Sequence, residues 1–166
     1  MKTFFISLFA LLIIGCTSQA PKPMTDSEKE AIKNEVKKEF TAMVEACTKV
    51  DLQTALSYYW DSPDFKGFGV DGELIDYAQF KKANEEFFSA VQTLQFPSIK
   101  EDIKVLASDL AIFVWQYKAE INLKTGEKMN FDKIGVTYLY KKIDGLWKIV
   151  YYHESALPPI VAEAKK

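Results

Sequence analysis

Behind Thr25-Asp26-Ser27-Glu28, apolar residues recur at three- and four-residue steps: Ile32, Val36, Phe40, Met43, Val44, Cys47 and Val50. Such steps line one face of an α-helix, and a threonine followed three residues later by glutamate is a capping box. A long amphipathic helix with lysines and glutamates outward is therefore predicted. Asp51 is placed to cap a second, shorter helix lined by Leu52, Ala55, Leu56 and Tyr59, which stops before Pro63. Residues 64–75 carry Phe65, Phe68 and Val70 among glycines with an Asp71-Gly72 turn, the pattern of a small hairpin or irregular flap. Asp76 then caps a third helix whose stripe is Tyr77, Phe80, Phe87, Val91 and Leu94, ended by Pro97.

From there the period changes from helical to strand. Alternating runs over 98–106, 111–122, 129–141 and 146–155 are joined by Ala107-Ser108-Asp109-Leu110, Lys124-Thr125-Gly126-Glu127 and Asp144-Gly145. Three helices followed by a meander predict an α+β fold, with the helices packed on a strongly curved antiparallel sheet. A two-residue Asp-Gly turn sets Ile143 against Leu146, and mirror pairing then gives Tyr140 with Ile149, Tyr138 with Tyr151, and Val136 with His153. The same reasoning at Thr125-Gly126 places Trp115 opposite Val136, Phe113 opposite Tyr138, and Tyr117 opposite Ile134. Because side chains alternate, one face collects Phe113, Trp115, Tyr117, Tyr138, Tyr151 and His153, while lysines such as Lys118, Lys133 and Lys148 fall on the other. The aromatic face is expected to meet the helices. The outer face, apolar near Ile112, Leu139 and Val150 but polar beyond, fits either a homodimer contact or a plain solvent face.

The chain's start changes the picture of where this domain resides. Lys2 followed by the apolar run Phe4 to Ile14 has the form of a secretory signal, and the run is shorter than the about 20 residues a bilayer span needs. It closes on Ile13-Ile14-Gly15-Cys16, which resembles the lipobox of bacterial lipoproteins. That resemblance implies a signal peptide over residues 1–15 and a lipidated Cys16. Residues 16–25, with Pro21 and Pro23, then form a tether, followed by one domain over 26–158 and a tail over 159–166. The expected location is outside the cytoplasm, lipid-anchored to the cell envelope on its periplasmic or outer-membrane side, with the membrane touched through the anchor only. With Cys16 lipidated, Cys47 is the one remaining thiol, so no intrachain disulfide is available and Cys47 reads as a small core residue.

Composition narrows the chemistry. All 21 basic residues are lysine against 23 acidic ones, for a net charge of −2, which argues against a nucleic-acid partner and leaves no arginine fork for phosphate. A single histidine without neighbouring cysteines cannot make a typical zinc site, and no cofactor motif is present. The 14% aromatic content needs a large core or a pocket.

The order long helix, short helix, flap, helix and four-stranded meander closes on Asp144-Gly145-Leu146-Trp147-Lys148-Ile149-Val150-Tyr151-Tyr152-His153-Glu154-Ser155. It resembles the SnoaL-like branch of the nuclear-transport-factor-2-like superfamily. The resemblance covers about residues 27–155. It implies an α+β cone with a pocket between sheet and helices, often dimeric through the sheet. The superfamily includes cyclases, isomerases, dehydratases and epoxide hydrolases as well as binding domains without chemistry. The leading expectation is a non-catalytic domain binding a small apolar or aromatic molecule, with Tyr58, Trp60, Phe113, Trp115, Tyr117, Tyr138, Tyr151 and His153 as ligand contacts. The alternative is an isomerase, cyclase or dehydratase using His153 as general acid or base, with Asp61 or Asp64 orienting it. Two departures weigh against that alternative. The acidic residue in phase with the aromatic face is Asp132, far from His153 along the strand, and the arginine that the epoxide hydrolases set between two aspartates is missing.

Overall fold

The computed structural model describes residues 23–162. Helix α1 runs Asp26–Thr48, with Thr25 and Glu28 closing the capping box. Helix α2 is Leu52–Leu56 under an Asp51 cap, and strands β1 (Lys66–Phe68) and β2 (Leu74–Asp76) form the flap. Helix α3, Tyr77–Ala90, opens with a second capping box, Asp76 with Gln79. It ends earlier than its apolar stripe suggests, because Val91–Gln95 is extended and forms β3. Val91 and Leu94 are still buried, and a strand buries them against the sheet as well as a helix would.

The meander follows as β4 (Ser98–Ala107), β5 (Leu110–Leu123), β6 (Lys128–Ile143) and β7 (Leu146–Ala156). The sheet has eight strands in the order β2-β1-β7-β6-β5-β3, with β4 also on β5 and β8 (Ile160–Ala162) on β6. The meander is antiparallel as expected, whereas β1 lies parallel to β7, so the sheet is mixed. After Pro159 the chain, expected to be a loose tail, returns to pair Ile160 with Asn130.

Two irregularities decide which side chains face the helices. At the β5–β6 turn, Leu123 N–H donates to the Glu127 carbonyl and Gly126 takes φ 88°, so the loop holds three residues instead of two. That moves the near-turn register by one, giving Ile121 opposite Met129. A bulge between Tyr117 and Ala119 moves it back. Trp115 therefore does face Val136, and Phe113 does face Tyr138, through two offsets that cancel.

The β6–β7 turn behaves as its Asp-Gly sequence dictates. Asp144 and Gly145 have φ 50° and 83°, and Tyr140 pairs with Ile149. One residue later the register shifts: Leu139 pairs with Tyr151, Tyr138 with Tyr152, Thr137 with His153 and Val136 with Glu154. Val150 is the extra residue of this bulge, and nothing downstream compensates for it. The expected pairs Tyr138 with Tyr151 and Val136 with His153 are thus corrected. Tyr152 and Glu154 turn toward the helices, and Tyr151 and His153 turn away. Asp132, which a bulge-free register puts in phase with the aromatic face, is exposed and forms an ion pair with Lys118.

The core lies between α1, α3 and this inner face. Phe40 of α1 stacks on Phe113 at 4.0 Å and meets Trp115 edge-on at 4.9 Å, which fixes the helix over the middle of the sheet.

Candidate functional site

A cavity of about 490 Å³ remains between the sheet and the helices. Its walls come from Met43, Val44 and Cys47 of α1, Phe80 and Phe88 of α3, and Trp115, Tyr117, Tyr138, Tyr152 and Glu154 of the sheet. Exposed lining residues, Val70 and Asp71 of the flap with Gln79, Ala83 and Phe87 of α3, mark its opening. The cavity exists because aromatic side chains brace one another around it and cannot collapse inward. Trp115 stacks on Tyr117 at 3.8 Å, Phe96 meets both edge-on, and Tyr59 packs on Phe80 at 4.5 Å. A hydrogen bond from Trp115 Nε1 to Ser98 Oγ, 3.0 Å, holds the indole in place.

Glu154 is the chemically distinctive member. The Tyr117 hydroxyl donates to its Oε1 at 2.5 Å, and among the described residues no protein donor reaches Oε2. Among the same residues no basic side chain is ion-paired with it, and no lysine lines the cavity. Burial pushes its carboxyl above the ordinary glutamate range, and the Tyr117 hydrogen bond offsets this only in part. The surrounding phenols are neutral: burial raises Tyr59, Tyr117 and Tyr138 well above the usual tyrosine range. Cys47, on the same wall, has its thiol pushed up to about 12 by burial, so it is a packing residue and not a nucleophile. What the wall can offer is one carboxyl, several neutral hydroxyls, the Asn84 amide and extensive ring surface. Among the described residues no cluster of three or more histidine, cysteine or acidic side chains could hold a metal ion.

The expected ligand contacts divide. Trp115, Tyr117 and Tyr138 line the cavity. Phe113 is fully buried beneath Phe40 and does not reach it. Trp60 and Asp61 belong to a separate surface cleft with Tyr77 and Lys148, and Asp64 is exposed. Tyr58 is half-buried outside the cavity wall, and its carbonyl accepts from Ile149 N–H. Tyr151 and His153 lie on the outer face, where the His153 ring packs beside Phe68 at 5.3 Å and borders a groove with Lys100, Thr137 and Ser155. His153 and Asp61 therefore do not meet. Glu154 and Tyr152 are wall residues that a bulge-free reading misses, and considering both registers of Tyr151-Tyr152-His153-Glu154 would have found them; Tyr59 and Phe80, read only as helix-stripe residues, also reach the wall.

Among solved structures, the fold is similar to a nuclear transport factor 2-like superfamily protein from Salmonella enterica, with TM-score 0.68 and 14% identity over 77% of this chain and 92% of that one. It is also similar to a type 2 hexachlorocyclohexane dehydrochlorinase, with TM-score 0.66 and 10% identity over 85% and 95%. A third is the association domain of C. elegans CaMKII, with TM-score 0.61 and 18% identity over 79% and 99%. At these identities the likeness speaks for the fold, which an enzyme and an assembly domain share. A search of the curated proteins found no match. The sequence pattern of the SnoaL-like domain matches residues 36–160, from the middle of α1 to the start of β8, and the chain belongs to that family.

Proposed function

We propose that this domain binds a small apolar or aromatic molecule in the cavity, with Glu154 and Tyr117 as its polar anchor. The observation that carries the reading is an aromatic-walled space of about 490 Å³ whose apolar surface converges on one hydrogen-bonded carboxyl. Concave apolar sites with a few placed polar groups, typically about 300–1,000 Å³, are what small-molecule binding needs. The test uses N-phenyl-1-naphthylamine, a neutral apolar probe whose emission rises in a dry site. Ala83 is exposed on α3 at the opening, so Ala83→Trp should block entry without touching the core. Saturable probe binding, weakened about tenfold or more by Ala83→Trp at unchanged melting temperature, is expected. Binding indifferent to the substitution would place the probe elsewhere and sink the reading.

A second reading is favoured by the raised carboxyl itself. A buried glutamate poised toward neutrality is suited to proton transfer, and Tyr117 and Tyr138 could donate to a developing enolate, so an isomerase or dehydratase role would rest on Glu154 and not on His153. It predicts exchange of the α-protons of a bound cyclic ketone such as 2-decalone into D2O. The rate should fall by about 10²-fold or more in Glu154→Gln and be unaffected by His153→Ala. Equal exchange in wild type and Glu154→Gln would remove it.

A further inference from the structure

The charged side chains that line the cavity are of one sign. Its lining contains two carboxyls, Glu154 on the sheet wall and Asp71 on the flap at the opening, and among the described residues no lysine. His153, adjacent in sequence to Glu154, is on the other side of the sheet. The lining phenols and the Cys47 thiol are held in their neutral forms. A ligand anion would meet carboxyls without a compensating cation, a repulsion that low dielectric magnifies.

Glu154 is also incompletely satisfied. Buried acidic groups ordinarily have an ion-pair partner or several hydrogen-bond donors. Here a single donor, the Tyr117 hydroxyl, reaches Oε1, and Oε2 has no protein partner among the described residues. That oxygen is not sealed either, because Glu154 keeps accessible surface and forms part of the cavity wall. A ligand donor would complete its hydrogen bonding, and a cationic one would also neutralise the charge.

The rings beside Glu154 suit the same ligand. Tyr117, which holds the carboxyl, is stacked on Trp115, and Phe96 closes on both at 6.2 Å and 5.9 Å. Tyr138 and Tyr152 complete the wall from the neighbouring strands. Aromatic faces attract an ammonium group by about 0.5–2 kcal/mol each, tryptophan best, and so offset part of the cost of removing it from water. Apart from the amides of Asn84, which donates to the Phe80 carbonyl, and of Gln79 at the opening, the rest of the lining, Met43, Phe88, Leu94, Ile121 and Met129 among it, is apolar and would hold a hydrocarbon or aromatic body.

Building on the binding reading above, we infer that the cavity's ligand class is a lipophilic amine, with the ammonium group seated on Glu154 among the rings of Trp115, Tyr117 and Phe96 and the apolar body against the helices. The pairing excludes fatty acids, phosphates and aromatic carboxylates as preferred ligands.

Three probes of nearly equal shape test this by isothermal titration calorimetry on the purified full-length protein: tryptamine (cation), tryptophol (neutral) and indole-3-acetate (anion). Tryptamine is expected to bind at least about tenfold tighter than tryptophol, and indole-3-acetate weaker than both. In Glu154→Gln, tryptamine should lose about tenfold or more while tryptophol stays within about twofold, since the substituted amide keeps an oxygen for Tyr117. A second measurement needs no variant. In the wild type, tryptamine affinity should rise from acidic to neutral pH as the carboxyl ionises, while tryptophol affinity should not. Equal binding of tryptamine and tryptophol, or a preference that survives Glu154→Gln, overturns the amine class and leaves the cavity standing as a binding site. Absence of heat from all three, with N-phenyl-1-naphthylamine still bound, also overturns it. Failure of that neutral probe as well would overturn the binding reading itself.

Discussion

At the scale of single residues, Glu154 links stability to the cavity. Burial makes the folded chain hold this proton more tightly than the unfolded chain does, so its folded pKa lies above the unfolded one. The stability it contributes is complete below the ordinary glutamate pKa and is lost as pH rises through the raised folded value. Above that window the wild type carries a desolvated carboxylate with one hydrogen bond. Glu154→Gln carries a neutral amide whose oxygen still accepts from Tyr117. The variant should therefore match the wild type in melting temperature at acidic pH and exceed it by a few degrees at neutral pH. A difference independent of pH would mean that Glu154 is not buried as the fold places it. Glu35 behaves in the opposite sense on the outside of the fold. Its hydrogen bonds from Lys142 Nζ and Trp147 Nε1, both 2.7 Å, hold its carboxyl below the usual range, so its contribution is lost as pH falls.

At the scale of elements, close contacts and bulges assign residues to faces. Gly67 in β1 lies against the Tyr152 ring so closely that a Cβ there would stand 2.0 Å from Cε1, and Phe65, Phe80 and Tyr152 pack as one cluster beside it. Gly67→Ala must push β1 off β7 or swing Tyr152 out of the wall. A loss of about 1–3 kcal/mol in denaturant unfolding is expected, the usual range for overpacking, together with weaker probe binding. An alanine accommodated at no cost would show the β1–β7 contact to be loose. The same level explains what could be read beforehand. The capping box at Thr25, the Asp76 cap, the Asp144-Gly145 turn and the period change near Pro97 are local signals with local causes, and each element they announce is present. The bulge at Val150 has no such signal, because it falls where β7 changes its long-range neighbour, from Tyr59 beside Ile149 to Lys66 of β1 beside Tyr151. One unpaired residue was enough to exchange His153 for Glu154 on the cavity side. The β5–β6 pairing escaped the same error only because a three-residue turn and a bulge cancel. Val91 and Leu94 illustrate a different ambiguity, since a three-residue apolar spacing suits a helix and is also met by a strand with a register shift between Val91 and Thr93.

At the scale of the whole molecule, the question is how the domain is held in the cell. Cys16 and residues 1–15 lie outside the described residues, so the anchor rests on sequence: a charged start, a short apolar run and Ile13-Ile14-Gly15-Cys16. Among the described residues no helix is long and apolar enough to cross a membrane. We propose that Cys16 is lipidated and that residues 17–25 space the domain from the bilayer, up to about 30 Å when fully extended. Such a tether leaves both the cavity opening and the outer sheet face free, and the outer face, with Val114 and His153 on it, is where we place a homodimer contact. The anchor has a direct test in the native host. Mass spectrometry of the wild type should find a mature N-terminus at Cys16 carrying acyl chains, and the protein should fractionate with membranes until detergent is added. Cys16→Ala should lose both the acyl mass and the membrane association while its domain keeps the wild-type melting temperature, because α1 begins only at Asp26 and is capped by Thr25. A Cys16→Ala protein that still pellets with membranes would refute the lipid anchor.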